Sequence, residues 1–175
     1  MLSITRMADY AVRLMIEVAT EGQASAAEVA RRQHIPYQFL RKVGRSLAGG
    51  RLLTAQRGTK GGFQLARPAE QISLLDILRV IDRPALNRCT VDPAKCERRD
   101  ICGAYPAWVS AQLEMERILG SSSLSDLVAQ QRRRCQTTGG RRAKRTPQKV
   151  RTARLLGPPL VGSSLADTTR KRREL

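Results

Sequence analysis

Apolar residues recur at three- and four-residue steps through most of residues 1–131, and one short stretch alternates instead. Met7, Tyr10, Ala11, Leu14, Met15 and Val18 make one apolar face and predict a helix over residues 6–20. Ser25 and Glu28 form a capping box that opens a short helix through Arg32, with Ala26, Val29 and Ala30 inward. After a tight connection at His34 and Ile35, Pro36 suits the first turn of a third helix. That helix is expected to end at Gly49 and Gly50, with Phe39, Leu40, Val43 and Leu47 as its buried stripe. Residues 52–56 and 62–66 alternate as two strands would, around a glycine-rich turn. Ser73 and Asp76 signal a helix over 74–82 that buries Leu74, Leu75, Leu78 and Ile81. The period lapses over 83–103. It resumes in a long helix, 104–119, striped by Trp108, Ala111, Gln112, Met115 and Leu119 and widened by Leu113 and Ile118. Ser123 and Asp126 cap a last helix ending near Arg134. The fold class is mostly α with a small β-hairpin.

Two short helices joined by a brief turn, the second polar and basic outside, make a helix-turn-helix pattern; an ordinary helical hairpin is the plainer alternative. Gln38, Arg41, Lys42 and Arg45 occupy the outer face of the second helix. The hairpin that follows carries Arg57 and Lys60 at its tip, as a wing does, poised for phosphates or a minor groove. Residues 31–67 hold nine Lys/Arg and no Asp or Glu, an electrostatic footprint for a polyanion, here double-stranded DNA, with a solvated basic face as the plainer alternative. No phosphate-loop motif accompanies the glycines, which argues against nucleotide binding.

The net charge of +17 is uneven. Residues 132–175 hold 14 Lys/Arg against Asp167 and Glu174, without an apolar period, so 136–175 reads as a disordered basic tail. No run of 18 apolar residues is present, so no membrane partner is expected, and the absence of a secretory signal points to the cytoplasm. These features divide the chain into a DNA-binding region (1–82), a cysteine segment (83–103), a helical pair (104–135) and the tail.

Thiols stay reduced in the cytoplasm, which gives the cysteines their interest. Cys89, Cys96 and Cys102 fall at C-x6-C-x5-C. Three thiolates on one short segment can converge on a soft metal centre. Asp92, Pro93 and Gly103 suit a loop better than a helix or strand. The spacing lacks the paired C-x2-C knuckles of a zinc ribbon, and three sulfurs leave a fourth ligand to be found. A redox disulfide with a spare thiol, or cysteines without special chemistry, are the alternatives. Cys135, just past the last helix, reads as a free thiol.

Taken together, the basic winged helix, the RGTKGGFQLAR hairpin, the SLLDILRVID helix, the cysteine triplet, the long helix and the SLSDLV helix carry a resemblance. Over about residues 1–131 the chain resembles the iron–sulfur transcription regulators typified by IscR and NsrR. The resemblance implies a winged helix-turn-helix homodimer on a palindromic operator, joined through the long helix. It implies that Cys89, Cys96 and Cys102 hold an iron–sulfur cluster, and that positions matching Gln38, Lys42 and Arg57 touch bases.

Two departures bear on the ligand set. The gap between Cys89 and Cys96 is one residue longer than the family's common spacing. Tyr105 stands where IscR-like members place a histidine ligand, and His34, the single histidine, lies in the helix-turn-helix. NsrR-like members use an N-terminal carboxylate from the other subunit, and Asp9 falls at the matching place. The resemblance therefore favours a [4Fe–4S] over a [2Fe–2S] cluster, on three thiolates and Asp9 across the dimer. No C-x-x-C and no catalytic dyad speaks for an enzyme. A structural zinc protein that binds DNA constitutively, or a thiol redox protein, remains the alternative.

Overall fold

The computed structural model describes residues 4–56, 58 and 61–137. Helix α1, Arg6–Glu21, starts at Thr5, whose hydroxyl accepts the Ala8 amide at 3.3 Å. Helix α2, Ala26–Gln33, has the expected capping box: the Ser25 hydroxyl accepts the Glu28 amide, and the Glu28 carboxylate accepts the Ser25 amide. Those bonds hold the Glu28 carboxyl below its usual range. His34 ends α2 in the left-handed region, at φ 53°, and turns the chain into α3, Tyr37–Gly49. The three helices close on Leu14, Met15, Val18, Val29, Leu40, Val43 and Leu47, all fully buried.

Strands β1, Leu53–Gln56, and β2, Gly62–Leu65, pair antiparallel with Leu53 opposite Leu65. A third element joins them that no alternating pattern announces. Ala24, between α1 and α2, exchanges two backbone hydrogen bonds with Phe63, at 2.8 and 3.1 Å. The hairpin is thus rooted in the helix-turn-helix. Phe63 also covers Gly44, where an added Cβ would lie 2.2 Å from the ring.

Helix α4, Leu74–Ile81, carries the capping box of Ser73 and Asp76. Short turns of chain follow, among them α5, Arg88–Val91. Helix α6, Tyr105–Ser121, leads to α7, Leu124–Thr137. Around Ser73 and Ser123 two N-caps are buckled back to back: the Leu74 amide donates to Ser122 and the Leu124 amide to Ile72. This places Leu124 in the core, with α7 against α1.

Several expectations need correction. Phe39 is not in the buried stripe of α3 but 42% exposed, tilted against Tyr10 at 6.2 Å; Gly44 takes the inward place. In α4 the inward residues are Leu75, Ile77 and Leu78, while Leu74 and Ile81 are half-buried, because α4 meets α1 and α3 on one side and α6 on another. The last helix continues to Thr137, so Cys135 lies within it, exposed, and the first two residues of the expected tail are helical. The expectation of disorder otherwise falls on residues 138–175, outside the described residues. Among the described residues, no helix is long and apolar enough to cross a membrane.

Candidate nucleic-acid interface and cysteine site

Helix α3 turns Leu40, Val43 and Leu47 inward, so three- and four-residue spacing turns Gln38, Arg41, Lys42 and Arg45 outward. All four are exposed. The acid-free window is less isolated in space than in sequence. Arg32 pairs with Glu17 and Glu21 of α1 at 3.2 and 3.3 Å, and Arg67 pairs with Asp76 at 3.0 Å. Cations flanking α3 are thus partly spent on the fold, whereas none on its outer face forms an ion pair among the described residues. Positive charge and amide chemistry on a protruding helix suit phosphates and base edges. Arg57 and Lys60 at the hairpin tip lie outside the described residues. The strands beneath them are braced by Gln64, whose amide group donates to Gln23 at 3.1 Å and accepts from Gln56 at 3.0 Å.

The cysteine segment is not the open loop expected. It is a chain of single turns: α5, then 3-10 turns at Pro93–Lys95 and Arg99–Ile101. Cys89 sits inside α5, and Cys96 and Cys102 each follow a 3-10 turn in extended conformation. Local bonds produce this, such as the Cys96 amide to the Pro93 carbonyl at 3.2 Å and the Lys95–Asp92 ion pair at 2.8 Å. Between Leu78 and Gln112 no residue is buried.

The three thiols are free and half-buried, and they line one cavity of about 730 Å³ together with Asp92, Lys95 and Trp108. No three His, Cys, Asp or Glu side chains among the described residues already stand at metal-holding distance. The donor set fits an iron–sulfur cluster in kind, three soft sulfurs facing one space, but closing on it requires the turns between them to shift. Asp9 does not line this cavity. It is half-buried on α1 and paired with Arg13 at 2.9 Å.

What anchors the segment is a residue read only as part of an apolar stripe. Gln112 of α6 is 4% exposed. Its side-chain amide donates to the Pro84 carbonyl at 3.0 Å and to Glu116 at 2.9 Å, and its oxygen accepts the Leu86 amide at 3.0 Å. The Thr90 hydroxyl, bonded chiefly to the Asn87 carbonyl at 2.7 Å, also approaches that oxygen at 3.3 Å. Glu116 further accepts Arg79 of α4 at 2.5 Å. The hydrogen bond from Gln112 holds the Glu116 carboxyl below its usual range, outweighing burial and aided by Arg79 and Arg83.

Of the rest of the expected α6 stripe, Met115 and Leu119 are half-buried and the other residues face outward. Trp108 is 42% and Ile118 52% exposed, and Ala107 and Ala111 are exposed beside them, with half-buried Met115 on the same side. Leu113, 63% exposed, stands apart on the helix.

A basic exposed helix on a buried three-helix core, with a hairpin tied to it, defines a winged helix-turn-helix DNA-binding protein rather than an enzyme. The chain belongs to the Rrf2 family of iron-dependent transcriptional regulators, whose sequence profile matches residues 4–130. It is 40% identical over 131 residues to a provisionally named HTH-type transcriptional regulator of Mycobacterium tuberculosis (strain H37Rv), covering 73% of this chain and 81% of that one. It is 28% identical over 139 residues to the HTH-type transcriptional regulator IscR of Xenorhabdus nematophila, covering 74% and 81%. Among solved structures it resembles T. potens IscR, with a TM-score of 0.59, 26% identity and coverage of 74% and 88%. It also resembles CymR, the global cysteine regulator of B. subtilis, with a TM-score of 0.59, 25% identity and coverage of 74% and 98%.

Proposed function

We propose that this transcription regulator binds a palindromic operator as a homodimer, under the control of an iron–sulfur cluster on Cys89, Cys96 and Cys102. The observation that carries the reading is the three free thiols on one cavity. A [4Fe–4S] cluster is favoured, with the partner subunit's Asp9 as the fourth ligand. A carboxylate is a weaker ligand to iron than a thiolate, so such a cluster would supply one labile site that nitric oxide or oxygen could attack, which makes nitric oxide, redox state or iron supply the candidate signal.

The chain's own residues do the rest. The exposed stripe of Trp108, Ala111 and Ile118 on α6 is the surface a second copy would cover. A half-buried Asp9, its side chain still open to solvent, can serve a neighbouring subunit at the cost of its ion pair with Arg13. Gln38, Arg41, Lys42 and Arg45 enter the major groove, while Arg57 and Lys60 follow phosphates or the minor groove. Drawing the three sulfurs together reshapes the turns on which α6 rests, and with it the spacing of the two α3 helices.

Anaerobic purification with iron and acid-labile sulfide analysis tests this, followed by operator titration before and after cluster removal. Iron and sulfide in equal amounts, with operator affinity that differs between the two forms, are expected. Zinc at one ion per chain, or identical affinities, would discard the reading in favour of a constitutive DNA-binding protein.

A further inference from the structure

Gln112 is the single buried polar side chain among the described residues, and its bonds run in two directions. Toward the cysteine segment it holds the Pro84 carbonyl and the Leu86 amide, three residues short of Cys89. Toward the DNA-binding region it holds Glu116, which holds Arg79 on α4. Only a side chain with both a donor and an acceptor can serve Pro84 and Leu86 together. A carboxylate has no donor for Pro84, and an asparagine is one methylene short.

The path continues by packing. Arg79 is followed by Val80, whose methyl groups press on Gly50 at the end of α3; an added Cβ there would lie 2.5 Å from Val80. A displacement of α4 therefore reaches the carboxyl end of the helix that carries Arg41 and Arg45, because close-packed contacts have no slack.

We infer that Gln112 is the positioning residue of the cysteine segment, and that with Glu116 and Arg79 it relays the state of that segment to α4 and α3. The relay rests on the proposed cluster control; the positioning does not. In the absence of a fully buried apolar anchor between Leu78 and Gln112, this amide is the chief tie of the segment to α6, with the longer Arg83–Glu116 ion pair at 3.7 Å beside it. Closing the segment on a ligand pulls on Pro84 and Leu86. The pull passes through Glu116 to Arg79 and biases α4 between two settings.

Full-length metal-free protein gives the first test, by amide hydrogen exchange. In Gln112→Ala and in the near-isosteric Gln112→Met, the Leu86 amide should exchange roughly fivefold faster or more, as the loss of one hydrogen bond gives. Glu116→Gln should leave Leu86 protected, but should speed exchange at the Asp82 amide, which donates to Leu78 at the end of α4. Unchanged Leu86 exchange in a folded Gln112→Met protein overturns the positioning role. Unchanged Asp82 exchange in Glu116→Gln overturns the relay. Operator titration of loaded and metal-free forms then reads the coupling. Wild type should show an affinity ratio of about fivefold or more, and Glu116→Gln a ratio near one with normal iron content. A wild-type chain that takes up no iron would sink the cluster reading alone, since the exchange results stand without it.

Discussion

The two halves of this molecule are held together by different physics. From α1 to α4 the chain closes a core of fully buried apolar side chains and caps α2 and α4 with their own neighbours. From Asp82 to Ala111 no residue is fully buried, and Gln112, with a longer Arg83–Glu116 ion pair, does most of the fastening. A DNA-reading surface needs fixed helix spacing, which a close-packed core provides. A sensing segment needs to differ between two states, and a stretch without buried apolar area is cheap to rearrange. The contrast separates the rigid reader from the part able to respond.

The largest expected effect breaks the second half alone. Replacing Cys89, Cys96 or Cys102 with Ala should abolish iron and sulfide content, while Cys135→Ala, on the exposed face of α7, should leave it intact. Thermal unfolding of the metal-free proteins should not change, because none of these side chains contributes to the core; a large loss of stability would erase the distinction. Next, Leu40→Ala should cost about 2–5 kcal/mol in denaturant unfolding, since it opens a cavity among fully buried neighbours. No residue of the cysteine segment offers a comparable target.

Gly44→Ala should cost about 1–3 kcal/mol by overpacking against Phe63, and pairing it with Phe63→Leu should recover part of that loss. Additive losses in the double variant would show that the ring is not what fills the space at Gly44. The smallest effect concerns Glu116. Its carboxyl sits below the ordinary value of 4.5, so the stability it contributes is present above that pH and is lost as pH falls through the lowered value. Metal-free wild type should therefore lose protection of the Asp82 amide in that acid range. Glu116→Gln should show a flatter profile there, measured by exchange from pH 6 downward.

Much of the first half was legible in the sequence, because its rules are local. Ser25 with Glu28, and Ser73 with Asp76, announce helix starts through residues three apart. Phe39 misled because hydrophobicity places an aromatic inside, whereas geometry gave the inward position to Gly44, which has no side chain to signal burial. The outward set Gln38, Arg41, Lys42 and Arg45 followed from spacing alone. In the second half, the three cysteines drew notice by their chemistry, and the structure sets them on one cavity. Gln112 was not, since its partners are backbone groups 26 and 28 residues away that no side-chain pattern encodes. The ion pairs of Arg32 and Arg67 escaped for a similar reason: their acids lie outside the acid-free window that drew notice.

The buckle between Ser73 and Ser123 gives the cysteine segment an unusual freedom of length. It clips together two points about 50 residues apart, so everything between them is, topologically, an excursion that leaves and returns at one place. The entropy of closing such an excursion grows only with the logarithm of its length. One added residue in about 50 changes it on the order of 0.02 kcal/mol. A seven-step interval between Cys89 and Cys96 instead of six therefore leaves the stability of the reader essentially untouched. The spacing of the thiols can change residue by residue, to suit the proposed cluster, while the clasp keeps that change from reaching the fold beneath.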